Sequence, residues 1–456
     1  MGMPLVLPPP EAWAEQTFGA VQLGDRRRTR RAVALARAMA RRPDASLPAQ
    51  VAAPAALKAA YRFLDAAEVT LPALLAPHWR QTRQAAGQQP VALLVQDTTT
   101  LDYSHHPTTT GLGPIGNGRG QGLLVQSILA VVPHPRRVLG LAHLEPFRRQ
   151  PAPKGEDCAT RQRRARESEV WPRAVAAVGP PPPGARWVHV GDRGGDIFAF
   201  LAACRQRGAD FLVRAAQSRR VEVAEGPAYL LPYARGLPAR ATRALELPAR
   251  HGQPARRATV ALSYGPLTLR PPKHSPKQAP LAAWVVRVWE PAPPPGVRAL
   301  EWLLVTSVPT ATVEAAWERA EWYTCRWLVE DYHQCLKTGC GIERRQVQTG
   351  ARLQRLLGLC APLAVRLLQL REAARLAPER PAHEVLPREV VAVVAALAGL
   401  SPVRLTAGAC WRAIARLGGH QGRRRDGPPG WQTLWRGWHY VETVLTGVQL
   451  APHLQG

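Results

Sequence analysis

The pattern of hydrophobic positions divides the chain into three regions. Residues 11–80 predict helices, because Ala32–Met39 and Ala55–Phe63 are rich in residues of high helix propensity. From Val91 onward, short continuous apolar runs predict strands buried on both faces of a sheet. These runs are Val91–Val95, Leu123–Val132, Val138–Leu144, Trp187–Val190 and Phe211–Val213, with a predicted helix at Ile197–Cys204. Three consecutive strands followed by alternating helices and strands indicate an α/β fold with a mixed sheet covered on both faces.

Residues 219–300 interrupt this alternation with short strand-like stretches between turns rich in proline and glycine. We interpret them as a β-rich insertion. Leu303–Val305 returns to the sheet, a long helix is predicted over Val313–Lys337, and the chain from residue 351 is mostly helical. The pattern therefore predicts an all-α domain at 1–80, an α/β domain at 81–350 and an α-helical domain at 351–456.

Charge adds a constraint on partners. The chain has 60 Lys and Arg against 33 Asp and Glu, a formal net charge of +27. Such a surplus favours polyanionic partners such as DNA or RNA. A GC-rich genome explains why most of the cations are arginine, but it does not explain the deficit of acids. Seven widely spread cysteines do not suggest a disulfide framework, and the longest apolar run, Val390–Leu400, is too short to span a bilayer.

An arginine cluster marks the first domain. It consists of Arg26, Arg27, Arg28, Arg30 and Arg31, at the start of a predicted helix just after Gly24-Asp25. One nearby acid cannot neutralise five guanidinium groups, and guanidinium groups bind phosphates and base edges in a bidentate manner. The alternative is a solvated basic face. We favour a nucleic-acid contact.

Two aspartates follow apolar runs: Asp97 after Val91–Val95 and Asp192 after Trp187–Val190. We expect both to lie at strand ends. Acids at the ends of buried strands are costly unless they are hydrogen-bonded or bound to a cation, and a single such aspartate is usually a cap. Two in one sheet of so basic a chain suggest a shared Mg²⁺, which binds carboxylate oxygens together with substrate phosphates.

A third acid lies in the predicted long helix. At about 100° per residue, Arg326, Glu330 and Lys337 fall within roughly 60° of Tyr323, and Trp327 borders the same stripe. One helix face would thus carry a phenol, a guanidinium, a carboxylate and an ammonium. The spacing alone leaves open whether this is a functional face or a surface laced with ion pairs.

These residues resemble a known family. Tyr323, Arg326, Glu330 and Lys337 have the spacing of the IS4-family transposase signature, and Asp97-Thr-Thr and Asp192-Arg-Gly-Gly-Asp196 stand where that family places two catalytic acids. The chain is similar to the Tn5-like branch in further segments: Leu23–Arg30 and Ala59–Phe63 at the N-terminus, Glu167-Ser168 with Trp171, and Ala413–Gly419 followed by Trp431, Trp435 and Trp438. Gly194 and Gly195 depart from the larger residues expected between Asp192 and Asp196.

The resemblance implies an RNase H-like core and cut-and-paste transposition of double-stranded DNA. Asp97, Asp192 and Glu330 would hold two Mg²⁺ ions, with Mn²⁺ as a possible substitute. Tyr323, Arg326, Lys337 and Arg214 would bind phosphates, and Arg62 would join the N-terminal arginines on DNA. Trp302, with Trp327 as a second candidate, would stack on a base expelled during hairpin formation.

The resemblance also implies a bacterial, cytoplasmic, nucleoid-associated homodimer that pairs two transposon ends. Apolar helices such as Val390–Leu400 are candidates for the dimer contact. Two other hypotheses remain: a catalytically silent, transposase-derived DNA-binding repressor or inhibitor, and an RNase H-like nuclease without strand transfer. The three acids argue against a silent protein, and the N-terminal arginines and Trp302 argue against a simple nuclease.

Overall fold

The N-terminal part of the protein is helical. The computed structural model describes residues 8–51, 53–150, 155, 157, 166–247, 255–273, 278–376, 378–423, 426 and 429–454. Five helices come first: α1 (Pro10–Phe18), α2 (Arg26–Arg41), α3 (Leu47–Gln50), α4 (Pro54–Asp65) and α5 (Leu71–Gly87). Asp25 starts α2 by accepting a hydrogen bond from the backbone N–H of Arg27 at 2.7 Å. Ala32, Leu35, Ala36 and Met39 bury one face of α2 at helical spacing. The predicted helical N-terminus is confirmed.

One large mixed sheet forms the centre of the described structure. Its strands are β1 (Val91–Asp102), β2 (Gly113–Ile115), β3 (Gly120–Val132), β4 (Arg137–Phe147), β5 (Arg186–Gly191), β6 (Asp210–Arg214), β7 (Arg220–Val223), β8 (Gly226–Tyr229), β9 (Ala241–Leu247), β10 (Arg256–Leu269), β11 (Leu281–Trp289) and β12 (Glu301–Thr306). Strand β1 is antiparallel to β3 and parallel to β5, and β5 is parallel to β6. The predicted mixed α/β architecture is therefore confirmed.

The segment predicted as a β-rich insertion extends this same sheet. It contributes β7 to β11 and one helix, α8 (Leu230–Gly236). Strand β6 pairs with β12, which pairs with β11, and β11 pairs with β10. The order along the sheet is β2-β3-β1-β5-β6-β12-β11-β10-β7-β8, with β4 on β3 and β9 on β10. The inserted strands thus lengthen the sheet on the β6 side.

Helices cover both faces of the sheet, because successive residues of a strand point to opposite sides. On one side, Leu93 and Val95 of β1 pack in a cluster with residues of the helices that follow β12. On the other side, Leu94 packs with Ala174 and Val178 of α6 (Val170–Val178). A further helix, α7 (Phe198–Gln206), packs against α6. The face that carries Val95 is the one on which the candidate acids lie.

The C-terminal part of the chain is helical, as the sequence predicts. It contains α9 (Val313–Thr324), α10 (Trp327–Gln334), α11 (Gly350–Leu376), α12 (Arg388–Ala398), α13 (Ala407–Leu417) and α14 (Trp431–Leu454). Val390, Val391 and Val394 of α12 are at most 3% exposed. Val390–Leu400 was expected as a dimer contact, and that expectation is wrong for these side chains because they already fill the core of a single chain.

The longest apolar helix also belongs to the core. Gly350–Ala373 of α11 has the length and composition of a membrane span, but 83% of its most apolar stretch is buried inside the protein. The six cysteines within the described ranges are buried and free, namely Cys204, Cys325, Cys335, Cys340, Cys360 and Cys410. They pack as small apolar side chains.

Candidate functional site

Asp97 lies in the middle of β1 and not at its end. The strand continues to Asp102, and β3 pairs with it throughout, from Asp97 opposite Ser127 to Asp102 opposite Gly122. The prediction that the strand ends at Asp97 is therefore wrong. The polar run that follows Asp97 resembles a loop in sequence, but a distant strand supplies its hydrogen-bond partners. Parallel pairing with β5 does stop at Val95, so Asp97 lies just beyond it.

Asp192 directly follows β5, as the sequence predicts. Its Oδ1 accepts a hydrogen bond from the backbone N–H of Gly194 at 2.7 Å, which starts the short 3₁₀ turn Arg193–Gly195. Val95 and Val190 are paired across the parallel strands, and each aspartate stands two residues further on. Because side chains alternate along a strand, Asp97 and Asp192 emerge on the same face of neighbouring strands.

The pKa of Asp97 is raised by its burial and by the nearby Asp192 carboxylate. Burial raises it to about 6, and the negative charge of Asp192 adds to the increase. A backbone hydrogen bond from Thr98 at 2.8 Å and the positive charge of Arg326 oppose the rise, whereas Glu330 adds weakly to it. Two repelling carboxylates in a half-buried place are the kind of oxygen donors that a divalent cation stabilises. The aspartates therefore fit such an ion.

Glu330 reaches this face from α10. Its carboxylate pairs with Arg326 at 2.7 Å and is 50% exposed, while the arginine side chain is 10% exposed. Within the described ranges, no three His, Cys, Asp or Glu side chains are gathered closely enough to hold a metal ion. Arg326 holds one oxygen of the Glu330 carboxylate. Asp97 and Asp192 lie close together, and Glu330 lies beside them in an ion pair with Arg326.

The predicted single helix over Val313–Lys337 is wrong. Helix α9 ends at Thr324, α10 begins at Trp327, and Cys335–Gly339 forms a π turn closed by the N–H of Cys340 on the carbonyl of Cys335 at 2.8 Å. These irregularities change the angle per residue, so the regular helical wheel does not apply. Lys337 pairs with Glu343 at 3.3 Å. The structure brings Tyr323, Arg326 and Glu330 together, but places Lys337 further along the sheet.

A buried side-chain hydrogen bond joins helix α10 to the sheet beside Asp97. His333 Nε2 lies 3.1 Å from Oγ of Ser127, the β3 residue opposite Asp97. Burial lowers the pKa of His333 to about 3, so its imidazole is neutral. On the far side of the helix, Arg371 of α11 donates to Asp331 at 2.6 Å. These contacts fix the axial position of Glu330, and the helix pattern alone did not identify them.

Aromatic rings surround the cationic side of the site. The ring centroid of Trp302 lies 5.5 Å from that of Tyr323 and 5.4 Å from that of Trp327. The Arg326 guanidinium lies 5.1 Å from the Trp327 centroid. Trp302 is half-buried at the start of β12. The predicted aromatic residues therefore form one cluster with Tyr323, next to the Arg326–Glu330 pair.

Arg214, at the end of β6, joins this cluster. It donates to the backbone carbonyl of Glu301 at 2.9 Å, immediately before Trp302. Burial lowers the pKa of Arg214, and its hydrogen bond with Tyr323 opposes that decrease. The Glu301 carboxylate is itself bound by Arg235 and Arg287. Arg214 is thus a partly desolvated cation held beside Tyr323.

A tryptophan that sequence reasoning noted only as part of a motif packs on the Asp192 turn. Trp171 of α6 is 5% exposed. A Cβ atom added to Gly191 or Gly195 would lie 3.1 Å or 3.0 Å from its indole ring, closer than most real contacts. Gly191 and Gly195 thus leave room for the ring, whereas a Cβ atom at Gly194 would lie 3.0 Å from Oδ1 of Asp192. Reading the glycines together with Trp171 could have signalled this packing.

A buried polar chain supports β1 from the opposite face. Gln96 Nε2 lies 2.8 Å from His189 Nδ1, and Gln126 Nε2 donates to Gln96 Oε1 at 3.1 Å. Thr98 continues the chain by donating to Gln126. Burial lowers the pKa of His189 to about 3, so this histidine is neutral. Sequence reasoning missed these residues, because only the pairing of three strands brings them together.

The N-terminal arginines differ in their partners. Arg27 pairs with Asp25 at 3.0 Å and Arg28 pairs with Glu68 at 3.0 Å. Arg26, Arg30 and Arg31 have no acidic partner within the part of the chain that the structure describes. Arg62 is exposed on α4 beside Tyr61, whose side chain is 39% exposed. The expected basic surface is present, although two of its five guanidinium groups are neutralised locally.

An exposed basic N-terminal helix and paired carboxylates next to cationic side chains together define a class: an enzyme that handles nucleic acid phosphates. Residues 10–69 match the family model described as transposase DNA-binding. Residues 185–366 match the model described as transposase DDE domain, which contains Asp192 and Glu330, whereas Asp97 precedes the matched range. The chain thus combines a transposase DNA-binding domain with a DDE transposase domain, and both support a DNA-cutting DDE transposase.

Proposed function

We propose that this protein is a cut-and-paste DNA transposase of the IS4 family, in its Tn5-like branch, with Asp97, Asp192 and Glu330 as catalytic acids. The observation that carries the proposal is the convergence of Asp97 and Asp192 on one face of neighbouring strands, with Arg326 and Glu330 beside them. The order β4-β3-β1-β5-β6, antiparallel and then parallel about β1, supports an RNase H-like core.

The three acids would hold Mg²⁺, with Mn²⁺ as a substitute, as two ions in one site. Such ions, when bound, neutralise charge on the phosphate and favour an oxygen nucleophile. The repulsion between Asp97 and Asp192 supports this assignment, because a cation removes it. Glu330 joins the aspartates as a ligand only when its carboxylate leaves Arg326. We therefore infer that DNA binding changes the partner of Arg326 from the carboxylate to a phosphate.

Phosphoryl transfer requires positioning and charge neutralisation more than covalent help from the protein. Arg326 and Tyr323 are buried and Arg214 is half-buried in one cluster, so a preformed cationic group could bind the phosphate next to the cleaved bond once Glu330 leaves Arg326. A guanidinium in a low-dielectric place attracts a phosphate more strongly than one in water. Lys337 would reach the DNA further along, after releasing Glu343.

Trp302 and Trp327 would receive a base expelled from the transposon end. Their rings already lie against each other and against Tyr323, and Trp302 is half-buried. A base that stacks on this cluster would recover part of the few kcal/mol that unstacking costs. The cluster borders the Arg326–Glu330 pair, so an expelled base would leave its phosphate near the acids. This arrangement supports hairpin formation.

The partners would be two transposon ends, a target duplex and a second copy of the chain. Arg26, Arg30, Arg31 and Arg62 would contact the end DNA, with Arg27 and Arg28 joining after exchange of their acidic partners. Because the apolar face of α12 is buried, the dimer contact would use other surfaces. Tyr440, Val448 and Leu450 of α14 are at least half exposed and support a role for that helix. We expect the protein to act in the bacterial cytoplasm, associated with the nucleoid.

Cleavage of linear DNA carrying the flanking inverted repeats tests this function. Mg²⁺-dependent nicking, hairpin formation and strand transfer are expected of the wild-type protein, and Asp97→Ala should bind but not cut. Asp102→Ala is a matched control, because it removes an exposed carboxylate from the same strand. Binding without any cleavage would identify a silent repressor, which the two transposase domains do not favour. Cleavage without hairpins or strand transfer would leave only a nuclease.

A further inference from the structure

Arg345 is a buried arginine without a carboxylate on its guanidinium among the described contacts. The residue is 5% exposed. Its Nε and Nη2 donate to the carbonyl of Cys340 at 3.2 Å and 2.9 Å, and Nη2 also donates to the carbonyl of Pro43 at 2.5 Å. Nη1 donates to the carbonyl of Ala45 and to Gln50 Oε1, the latter at 3.3 Å. A buried cation is tolerated when it is hydrogen-bonded in this way.

These acceptors belong to two different parts of the protein. Pro43 and Ala45 lie in the connection that follows α2, the helix that begins with the arginine cluster, and Gln50 ends the short helix α3. Cys340 closes the π turn that follows α10, the helix of Glu330. One planar guanidinium therefore bonds to the base of the proposed DNA-reading helix and to the end of the helix that carries a proposed catalytic acid.

Further contacts between these parts include Arg344 with Asp44 at 3.9 Å and a set that reaches a different helix. Arg352 pairs with Asp65, and Arg355 donates to the carbonyls of Leu64 and Val69 at 3.0 Å and 2.7 Å. Arg352 and Arg355 belong to α11, so they hold the N-terminal helices against the core. Only Arg345, among the contacts described here, also bonds to the π turn. The carbonyl acceptors on both sides have fixed directions, and the donors of the planar guanidinium also have fixed directions. The guanidinium therefore holds the two segments at a fixed distance and orientation.

We propose that Arg345 is a positioning residue that sets the distance between the DNA-reading helix α2 and Glu330, and thereby selects the phosphodiester bond that is cut. The inference rests on the proposed transposase function. Successive nucleotides of one strand are about 3.4 Å apart along a DNA duplex. A relative shift of that size between the two parts moves the cut by one nucleotide. Removing the guanidinium releases both sides of the contact.

Cleavage mapping on end-labelled DNA with the flanking inverted repeats and Mg²⁺ tests the proposal. We expect wild-type protein to cut at one position and Arg345→Gln to spread cleavage over neighbouring positions, with end-DNA affinity within about threefold of wild type. Arg344→Gln is the matched control, because Arg344 is 66% exposed and lies 3.9 Å from Asp44. This control should keep the single position.

Arg345→Lys covers the case in which Arg345→Gln does not fold. Lysine keeps the charge but lacks the planar fork, so it should fold, and we expect partial loss of cleavage precision. A purely structural role would lower the melting temperature and the amount of product without moving the cut. A folded Arg345→Gln or Arg345→Lys protein that cuts only at the wild-type position overturns the proposal. Absence of cleavage by the wild type would instead contradict the proposed function.

Discussion

The indole ring of Trp171 packs directly on Gly195, three residues after Asp192, so that an added Cβ would lie 3.0 Å from ring atom Cζ3. The backbone of Gly195 is not left-handed, so crowding by the ring, and not backbone strain, opposes a side chain there. Gly191, Gly195 and Trp171 therefore form one packing unit around the Asp192 turn.

Gly195→Ala should slow Mg²⁺-dependent cleavage by about tenfold or more, because the added methyl group displaces the Asp192 turn and a misplacement of about 1 Å can cost about 100-fold in rate. Trp171→Phe in the same chain should restore much of the rate by making room. Initial cleavage rates measure both effects. Gly236→Ala is the control, since no atom lies within 4 Å of a Cβ at that position. Equal rates for the single and double variants would contradict a steric origin.

Asp97→Asn should stabilise the metal-free protein at neutral pH. The pKa of Asp97 is raised to about 6, so its charged form destabilises the folded state. The stability contributed by the protonated carboxyl group is fully present below about pH 3.8, the pKa of the unfolded state. It is lost as the pH rises through about 6, the pKa of the folded state. Denaturation in EDTA should show a gain of about 1–3 kcal/mol at pH 7.5 that disappears near pH 4. A gain that is independent of pH would rule out this origin.

Ser127→Ala should lower the cleavage rate without changing end-DNA affinity. The substitution leaves the buried Nε2 of His333 without its partner at 3.1 Å, which costs about 1–3 kcal/mol and loosens α10 beside Asp97. Single-turnover cleavage and equilibrium binding separate the two effects. Ser263→Ala is a suitable control, because Ser263 is equally buried and its hydroxyl has no partner in the described structure. Equal losses in both variants would point to general destabilisation.

Arg30→Gln and Arg31→Gln should each weaken binding of the end DNA. Each should also reduce by about one the slope of log K, the DNA-binding constant, against log salt concentration, because one fewer counterion is released. Arg27→Gln should have a smaller effect, because Asp25 already neutralises that guanidinium even though its side chain is 87% exposed. Binding isotherms between low and moderate salt measure these slopes. A salt slope unchanged from wild type in both Arg30→Gln and Arg31→Gln would place the phosphate contacts elsewhere.

Several parts of this protein follow from local sequence. Helix α2 could be predicted because its apolar residues recur at helical spacing and Asp25 caps it, and the buried part of β5 because a short apolar run leaves few alternatives. Asp192 follows that run directly. The arrangement of Tyr323, Arg326 and Glu330 survives the break between α9 and α10, because a spacing of three or four residues changes little across one irregular turn.

Tertiary structure decided the remainder, because the partners concerned are far apart in the sequence. Pairing with β3 extends β1 beyond Asp97. Lys337 pairs with the carboxylate of Glu343, which follows the π turn, and is placed away from Glu330. Apolar periodicity cannot distinguish an intramolecular partner from a second subunit, so α12 could be expected at a dimer contact although it fills the core. The sequence by itself determined the candidate side chains and the local elements that carry them. Only the packing of distant elements, as in Trp171 on Gly195, determined where they stand.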